Sequence, residues 1–257
     1  MNYGLKNTLL KSLEKNIRFD RRGPLDYREI KVEYSVAKNA EGSARVKIGD
    51  TEVIAGVKMA IEKPYPDTPN QGLFMVGAEL LPMSNPEFES GPPGIQAIEL
   101  ARVVDRGIRE SKALDTKTLC IEEGEKAWMI AVDICIINDS GNLFDSCALA
   151  SFAALQDTRF PGAEDNRIDY KKMTDRTLEL QHIPVGITIH KIGTRFIVDP
   201  TTEEELVSDA RLTVVSREDG TICALQKGGD APLNAEEVEQ MVDIGIEKGN
   251  EIRNLLK

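Results

Sequence analysis

Two carboxylates six residues apart, Asp199 and Glu205, follow a strand-like run and open an acidic turn. Such a pair can hold a proton at neutral pH and act as a general acid. A second candidate is the turn Asn138, Asp139, Ser140, Gly141, Asn142, set between an alternating apolar run and a helix of small residues. A strand, a Gly-containing turn and a helix start leave backbone N–H groups and a positive dipole end where a phosphate can sit. The same residues also read as an ordinary strand-to-helix connection. Asn142 stands where an arginine could have gripped the phosphate. Arg102, Arg106 and Arg109 fall at i, i+4 and i+7, on one helix face. Three guanidiniums in a row can track a phosphate backbone. The competing reading is pairing within the helix, Asp105 with Arg109, Arg106 with Glu110 and Glu99 with Arg102.

Other chemistry is missing from the chain. His182 and His190 are the only histidines, and no cysteine or carboxylate stands near them at metal-ligand spacing. There is no Walker loop, no GxSxG and no dinucleotide fingerprint. Neither a metal nor a cofactor is expected. Cys120, Cys135, Cys147 and Cys223 form no CxxC, and three of them lie in apolar segments. That usage fits reduced thiols and a cytoplasmic protein.

The net charge of −11 excludes a protein that coats nucleic acid with its whole surface. Local basic tracks survive this argument, such as Arg18, Arg21, Arg22 and Arg28. With 41% hydrophobic residues in 257, the chain can bury a large core, and it has no apolar run near membrane-spanning length. No membrane partner is expected. The first 22 residues carry basic charge and an apolar stripe without a cleavage site, and they read as a surface helix with no export signal.

The elements that would position these residues alternate. Strands are expected over 30–36, 44–48 and 52–58, the last two closed by Gly49 and Asp50. A Pro- and Gly-rich stretch, 64–94, contains one apolar segment, 73–81, and a helix follows over 95–112. Strands over 117–121 and 127–137 lead to the small-residue helix 143–156. The second half should begin near Gly162, with strands over 173–180, 184–190 and 194–198 and a hairpin of 211–217 and 221–227. Asn234 with Glu237 caps a final helix running to Leu256. The pattern predicts an α/β (α+β) fold in two lobes, residues 1–161 and 162–257.

Five motifs together resemble one family. They are RxDRRxPxDYRxI (Arg18 to Ile30), GSARVKIGDTEVIAGVK (Gly42 to Lys58), ELARVVDRGIRES (Glu99 to Ser111), VDICIINDSGN (Val132 to Asn142) and IVDPTTEEE (Ile197 to Glu205). In this order they are similar to RNase PH-like exosome subunits, and in particular to the non-catalytic type of the archaeal exosome core. The resemblance implies an RNase PH-like fold of two βαβ-type lobes, like domain 2 of ribosomal protein S5. It also implies an alternating hexameric ring, a trimer of heterodimers with a catalytic RNase PH-like partner. RNA-binding cap subunits sit on such rings, and single-stranded RNA is degraded from its 3′ end by phosphate.

The departures from the family pattern set the functional expectation. Catalytic members carry Gly-Ser/Thr-Arg at the turn matching Ser140, Gly141 and Asn142, so this phosphate site is degenerate. Asn lacks the guanidinium fork, whose charge-assisted bonds are worth roughly 1.5–3 kcal/mol each. Catalytic members also carry two aspartates six apart, and here the acid site is Asp199 with Glu205, whose extra methylene displaces the carboxylate. Arg21 replaces the Gly of an Asp-Gly-Arg motif. The expectation is a structural, RNA-positioning subunit with no catalytic residues, using Arg102, Arg106 and Arg109 on RNA. Its rivals are an active phosphorolytic 3′-to-5′ exoribonuclease and a free-standing small-molecule enzyme using Asp199 and Glu205.

Overall fold

The structure, a computed structural model, describes residues 3–164 and 167–256. Helix α1 (Tyr3–Leu13) precedes the strands β1 (Ile30–Tyr34), β2 (Gly42–Ile48), β3 (Thr51–Glu62) and β4 (Leu73–Glu79). Helix α2 (Ile95–Glu110) and a 3-10 turn (Thr116–Leu119) lead to β5 (Cys120–Glu122), β6 (Lys126–Asn138) and helix α3 (Leu143–Gln156). Then come β7 (Arg159–Glu164), β8 (Arg167–Thr177), β9 (Val185–Ile192), β10 (Arg195–Val198), the short α4 (Thr202–Glu205), β11 (Ala210–Ser216), β12 (Ile222–Gly228) and α5 (Ala235–Arg253).

The first sheet has the order β1-β2-β3-β6-β4, with β5 paired to the start of β6. Every pair is antiparallel except β4 with β6, which are joined in parallel by a crossover through α2, a βαβ unit. Period-two patterning sets the faces: Trp128, Ile130, Val132, Ile134 and Ile136 of β6 are buried, and their alternates are partly exposed. The second sheet has the order β10-β9-β11-β12. Strands β10 and β11 both run antiparallel to β9, hence parallel to each other, and α4 joins them as a split βαβ unit.

Helix α3 is the common core of both sheets. It packs on β2 and β3 on one side and on β9 on the other. Its residues Asp145 to Leu155 are buried except Ala148, which explains a helix apolar all round. One hydrophobic cluster runs through both halves, from Val46 and Ile134 to Ile187, Val214 and Met241. The lobe division expected at 161/162 falls inside β7, so the β7–β8 hairpin spans it.

Three expectations about elements are corrected. The N-terminal helix stops at Leu13 and is docked: Leu9 and Leu13 are buried with Ile192, Ile197 and Val207 of the second sheet region. Residues 18–28 form an irregular arm beyond it. Strand β7 was not expected, since Pro161 and Gly162 break the pattern and coincide with two register irregularities. The strand expected over 173–180 lies earlier, as β8, because its alternate residues pair with β7 rather than with the second sheet. The Asn234–Glu237 capping box forms as the sequence predicts.

Replacing Leu13 with Ala should cost about 2–5 kcal/mol if α1 is docked as described. Urea unfolding measures this, and an unchanged midpoint would show that the helix contributes no packing.

Candidate functional site

The N-terminal arm, the 139–142 turn and the segment from Asp199 through α4 meet at the start of α3. Asp199 is completely buried at the end of β10. Its carboxylate accepts from Arg28 Nη2 at 2.7 Å and Nε at 2.9 Å, from the Arg28 backbone N–H at 2.8 Å, and from Arg22 Nη1 at 2.8 Å. Asn142 Nδ2 donates to Oδ1 of the same carboxylate at 3.0 Å. Burial works to raise the Asp199 pKa, but the Arg28 bonds and charge outweigh it and hold the group below the usual carboxylate range. Removing one partner of a buried pair of this kind costs about 3–5 kcal/mol.

The arm itself is pinned by charge. Arg18 is buried, pairs with Glu204 and donates to the carbonyls of Val198 at 2.8 Å and Asp199 at 2.7 Å. Arg28 also donates to the carbonyls of Ser140 at 2.8 Å and Gly141 at 3.2 Å. Arg21 sits at φ 70°, a left-handed backbone that Gly adopts freely and an L-residue adopts at roughly 1–2 kcal/mol.

The turn that would cradle a phosphate is occupied by the protein's own side chains. Ser140 N–H donates to Thr51 Oγ1 at 3.2 Å, Gly141 N–H to Asp139 Oδ1 at 3.0 Å, and Asn142 N–H to Glu205 Oε1 at 2.9 Å. Two of the three acceptors are carboxylates, standing where an anion would bind. Gly141 has φ 89°, and a Cβ there would lie 2.4 Å from the Pro200 carbonyl oxygen, so only Gly fits. Asn142 is itself left-handed at φ 63° and caps α3 without a side-chain bond to the helix.

Asp199 and Glu205 therefore do not share one proton-holding pair. Glu205 lines a cleft of about 620 Å³ with Asp139, Phe144, His190, Ser208 and Arg211, whereas Asp199 is sealed behind Arg28 and Asn142. Burial pushes the Glu205 carboxyl up to about 7, against the Asn142 N–H that favours its charged form. Asp145 in α3 is also pushed up to about 7 by burial, although it accepts from Tyr27 Oη at 2.6 Å and from Thr188 N–H at 2.7 Å. Burial, with Arg211 and Arg18 adding to it, drives His190 down to about 3, so this histidine is neutral. His182 lies elsewhere, bridged to Glu218 at 2.8 Å and Arg217 at 3.1 Å. No group of three or more potential metal ligands exists among the described residues.

The arginines of α2 are separate from this cleft and differ from one another. Arg109 donates to both oxygens of Asp105, at 2.8 and 3.1 Å, and to the Phe74 carbonyl of β4 at 3.0 Å. Its guanidinium also lies 5.5 Å from the Phe74 ring centroid. Arg106 makes one bond, to Glu110 at 2.7 Å. Arg102 is exposed, with no ion pair among the described residues. Grooves of about 510 Å³ towards β4 and about 600 Å³ towards β12 flank the helix, and Arg102 and Arg106 line both.

Arg18, Arg22 and Arg28 were legible only as a basic cluster. Their partners, Glu204 for Arg18 and Asp199 for Arg22 and Arg28, lie about 170–190 positions away, where no local pattern connects them.

The site and the two-sheet fold define a class of protein. Residues 26–161 match the family model for domain 1 of the 3′ exoribonuclease family, RNase PH, and residues 182–248 match that for domain 2. The chain belongs to this family. Its relatives include exosome complex component Rrp42 of Methanosarcina acetivorans, 43% identical over 97% of this chain and 92% of that protein. Exosome complex component Rrp42 of Archaeoglobus fulgidus is 43% identical over 98% of this chain and 95% of its own. Among solved structures, a chain of the Archaeoglobus fulgidus exosome with RNA bound to the active site superposes with TM-score 0.91 at 43% identity, covering 97% of this chain and 96% of that one. A chain of an archaeal exosome core gives 0.87 at 41%, covering 97% and 95%. The resemblance carried by the five motifs thus extends over nearly the whole chain.

Glu205 generates a pH prediction. Its folded pKa lies above that of an unfolded glutamate, so the fold binds the extra proton and loses stability as pH rises from about 4.5 to 7. Glu205→Gln keeps the acceptor for Asn142 N–H and removes the charge. The variant should melt higher than the parent at pH 8 and no higher at pH 5, and an equal difference at both pH values would show that Glu205 is not the group responsible.

Proposed function

We propose that this chain is the non-catalytic, structural and RNA-positioning subunit of an archaeal exosome. In this reading it alternates with a catalytic RNase PH-like partner in a hexameric ring, helps to order that partner's active site, and carries RNA-binding cap subunits. Single-stranded RNA passes along the arginine face of α2 and is shortened 3′-to-5′ by phosphate at the partner's site. The degenerate phosphate site is Ser140, Gly141 and Asn142, and the degenerate acid site is Asp199 with Glu205. The four cysteines are free, and no described helix is long and apolar enough to cross a membrane; the reading places the ring in the cytoplasm.

The observation that carries this reading is the filled cradle. The backbone donors at 140–142 are spent on Thr51, Asp139 and Glu205. A phosphate entering there would meet two carboxylates and no guanidinium free to offset them, because Arg22 and Arg28 are committed to Asp199. Asp199, held ionised, has no proton to give. Together these take the free guanidinium charge and the Asp199 proton out of the turn, and the Glu205 carboxyl, near neutral pKa, is tied to the Asn142 N–H.

The deciding experiment follows a labelled single-stranded RNA with phosphate, using this chain, the catalytic partner, and their mixture. Strong activity in the mixture alone is expected, and release of nucleoside diphosphates by this chain alone would instead support the active exoribonuclease. Asn142→Arg by itself should leave this chain inactive, since Asp139 and Glu205 still fill the turn; phosphorolysis by that variant would refute the filled-cradle argument. Arg106→Glu should weaken RNA degradation by the assembled ring without dissolving it, as judged by limiting-RNA kinetics and gel filtration.

A further inference from the structure

The cleft beside the 139–142 turn is lined by two acceptor groups that the protein itself leaves partly unpaired. Independently of the RNA reading of α2, we infer that this cleft binds a small aliphatic primary amine, whose ammonium donates to His190 Nε2 and Glu205 while its carbon chain lies on the apolar wall.

His190 supplies the observation that points to a ligand. It is only 4% exposed, lines the cleft, and stands on β9 opposite Arg211 of β11. Ser208 Oγ gives its proton to the Ala210 carbonyl at 3.1 Å and therefore accepts from His190 Nδ1, also at 3.1 Å. That places the ring proton on Nδ1, and because the imidazole is neutral, Nε2 is a bare acceptor. Nε2 has no partner among the described residues. A buried acceptor without a donor is unfavourable, and a donor entering the cleft relieves it.

Glu205 offers the second acceptor. One carboxyl oxygen takes the Asn142 N–H at 2.9 Å, and the other has no partner among the described residues. Asp139 is already committed to Gly141 N–H and Asn85 Nδ2, and Glu99 to Arg211 at 2.7 Å. Glu87 adds a further carboxylate, so Arg211 is the one cation facing four acidic side chains among the described lining residues. Its guanidinium is fixed as part of the wall, stacked 4.4 Å from the Phe144 ring centroid and so close to Gly228 that a Cβ there would lie 1.5 Å from Nη1. The balance of charge favours a cation and opposes a phosphate.

An ammonium has three donors and no acceptor, so it can satisfy both free positions without setting a lone pair against the carboxylates. The rest of the wall is apolar, with Leu80, Pro86, Phe88, Leu100, Leu143 and Leu206, and the volume of about 620 Å³ suits a small molecule. An aliphatic chain covers such a wall, whereas a hydrated metal ion does not.

Calorimetric titration tests this, with butylamine, butanol, butyrate and inorganic phosphate added to the full chain and to the ring assembled with its catalytic partner. Butylamine should bind saturably at one site per chain in both. Butanol lacks the charge, and butyrate and phosphate reverse it, so each should bind weaker by roughly tenfold or more. His190→Phe and Glu205→Gln should each weaken butylamine by roughly tenfold or more, while His182→Phe, outside the cleft, should leave it unchanged. Without any substitution, nitrogen NMR of the parent's imidazoles should show His190 Nε2 unprotonated and moving upfield as butylamine saturates, as a ring nitrogen does on accepting a hydrogen bond.

Absence of saturable butylamine binding, equal binding of butanol or phosphate, full affinity in a folded His190→Phe, or an unmoved Nε2 resonance would overturn the inference. Binding by the chain alone that disappears in the ring would give the cleft to the partner subunit and overturn it as a ligand site of the assembled protein.

Discussion

The buried carboxylate of Asp199 is the constraint around which the centre of the molecule is arranged. It is inaccessible to water, carries a negative charge, and is met by two guanidiniums, a backbone amide and a side-chain amide. An isolated charge at that depth would be prohibitive, and its partners come from two distant stretches of chain. Arg22 and Arg28 belong to the N-terminal arm, Asn142 to the start of α3, and Asp199 to the end of β10. Satisfying one carboxylate therefore fixes where the arm crosses the second sheet and how α3 enters the core.

This arrangement explains why an asparagine fits at position 142. Asn142 is short enough to stay in the interior and long enough to donate to Asp199. Its backbone N–H is taken by Glu205, whose longer side chain reaches a donor at the turn. Asn142 and Glu205 thus act on each other: the glutamate takes the backbone donor of the residue whose side chain holds Asp199. The result is a tightly bonded joint between the arm, the turn and α4, with two carboxyls, Glu205 and Asp145, held near neutral pKa by burial.

The outer face of α2 obeys the opposite logic. Its inner residues, Leu100, Val104 and Ile108 among them, are buried in the core. Its outer residues include Ile95, 85% exposed, and the arginines on the two grooves. A chain of net charge −11 thus keeps arginines on the outer face of α2, where Asp105 and Glu110 of the same helix pair with two of them.

Much of the fold was written in local pattern. The alternation in β6, the Gly49–Asp50 hairpin, the Asn234–Glu237 cap and the all-round apolar character of α3 each report a short-range rule, and each marks its element in the sequence. The identity of Asn142 and Glu205, and the i, i+4, i+7 spacing of the arginines, were likewise plain in one dimension. Strand β7 and the docking of α1 were not, because Pro161 and Gly162 hide the first and because a two-leucine contact across some 180 residues hides the second. Only the tertiary structure decided that Arg22 and Arg28 spend themselves on Asp199, that Asp139 and Glu205 take the backbone donors of the 140–142 turn, and that Arg109 differs from Arg102. The sequence states which charges are present; burial and long-range geometry determine which of them are already neutralised.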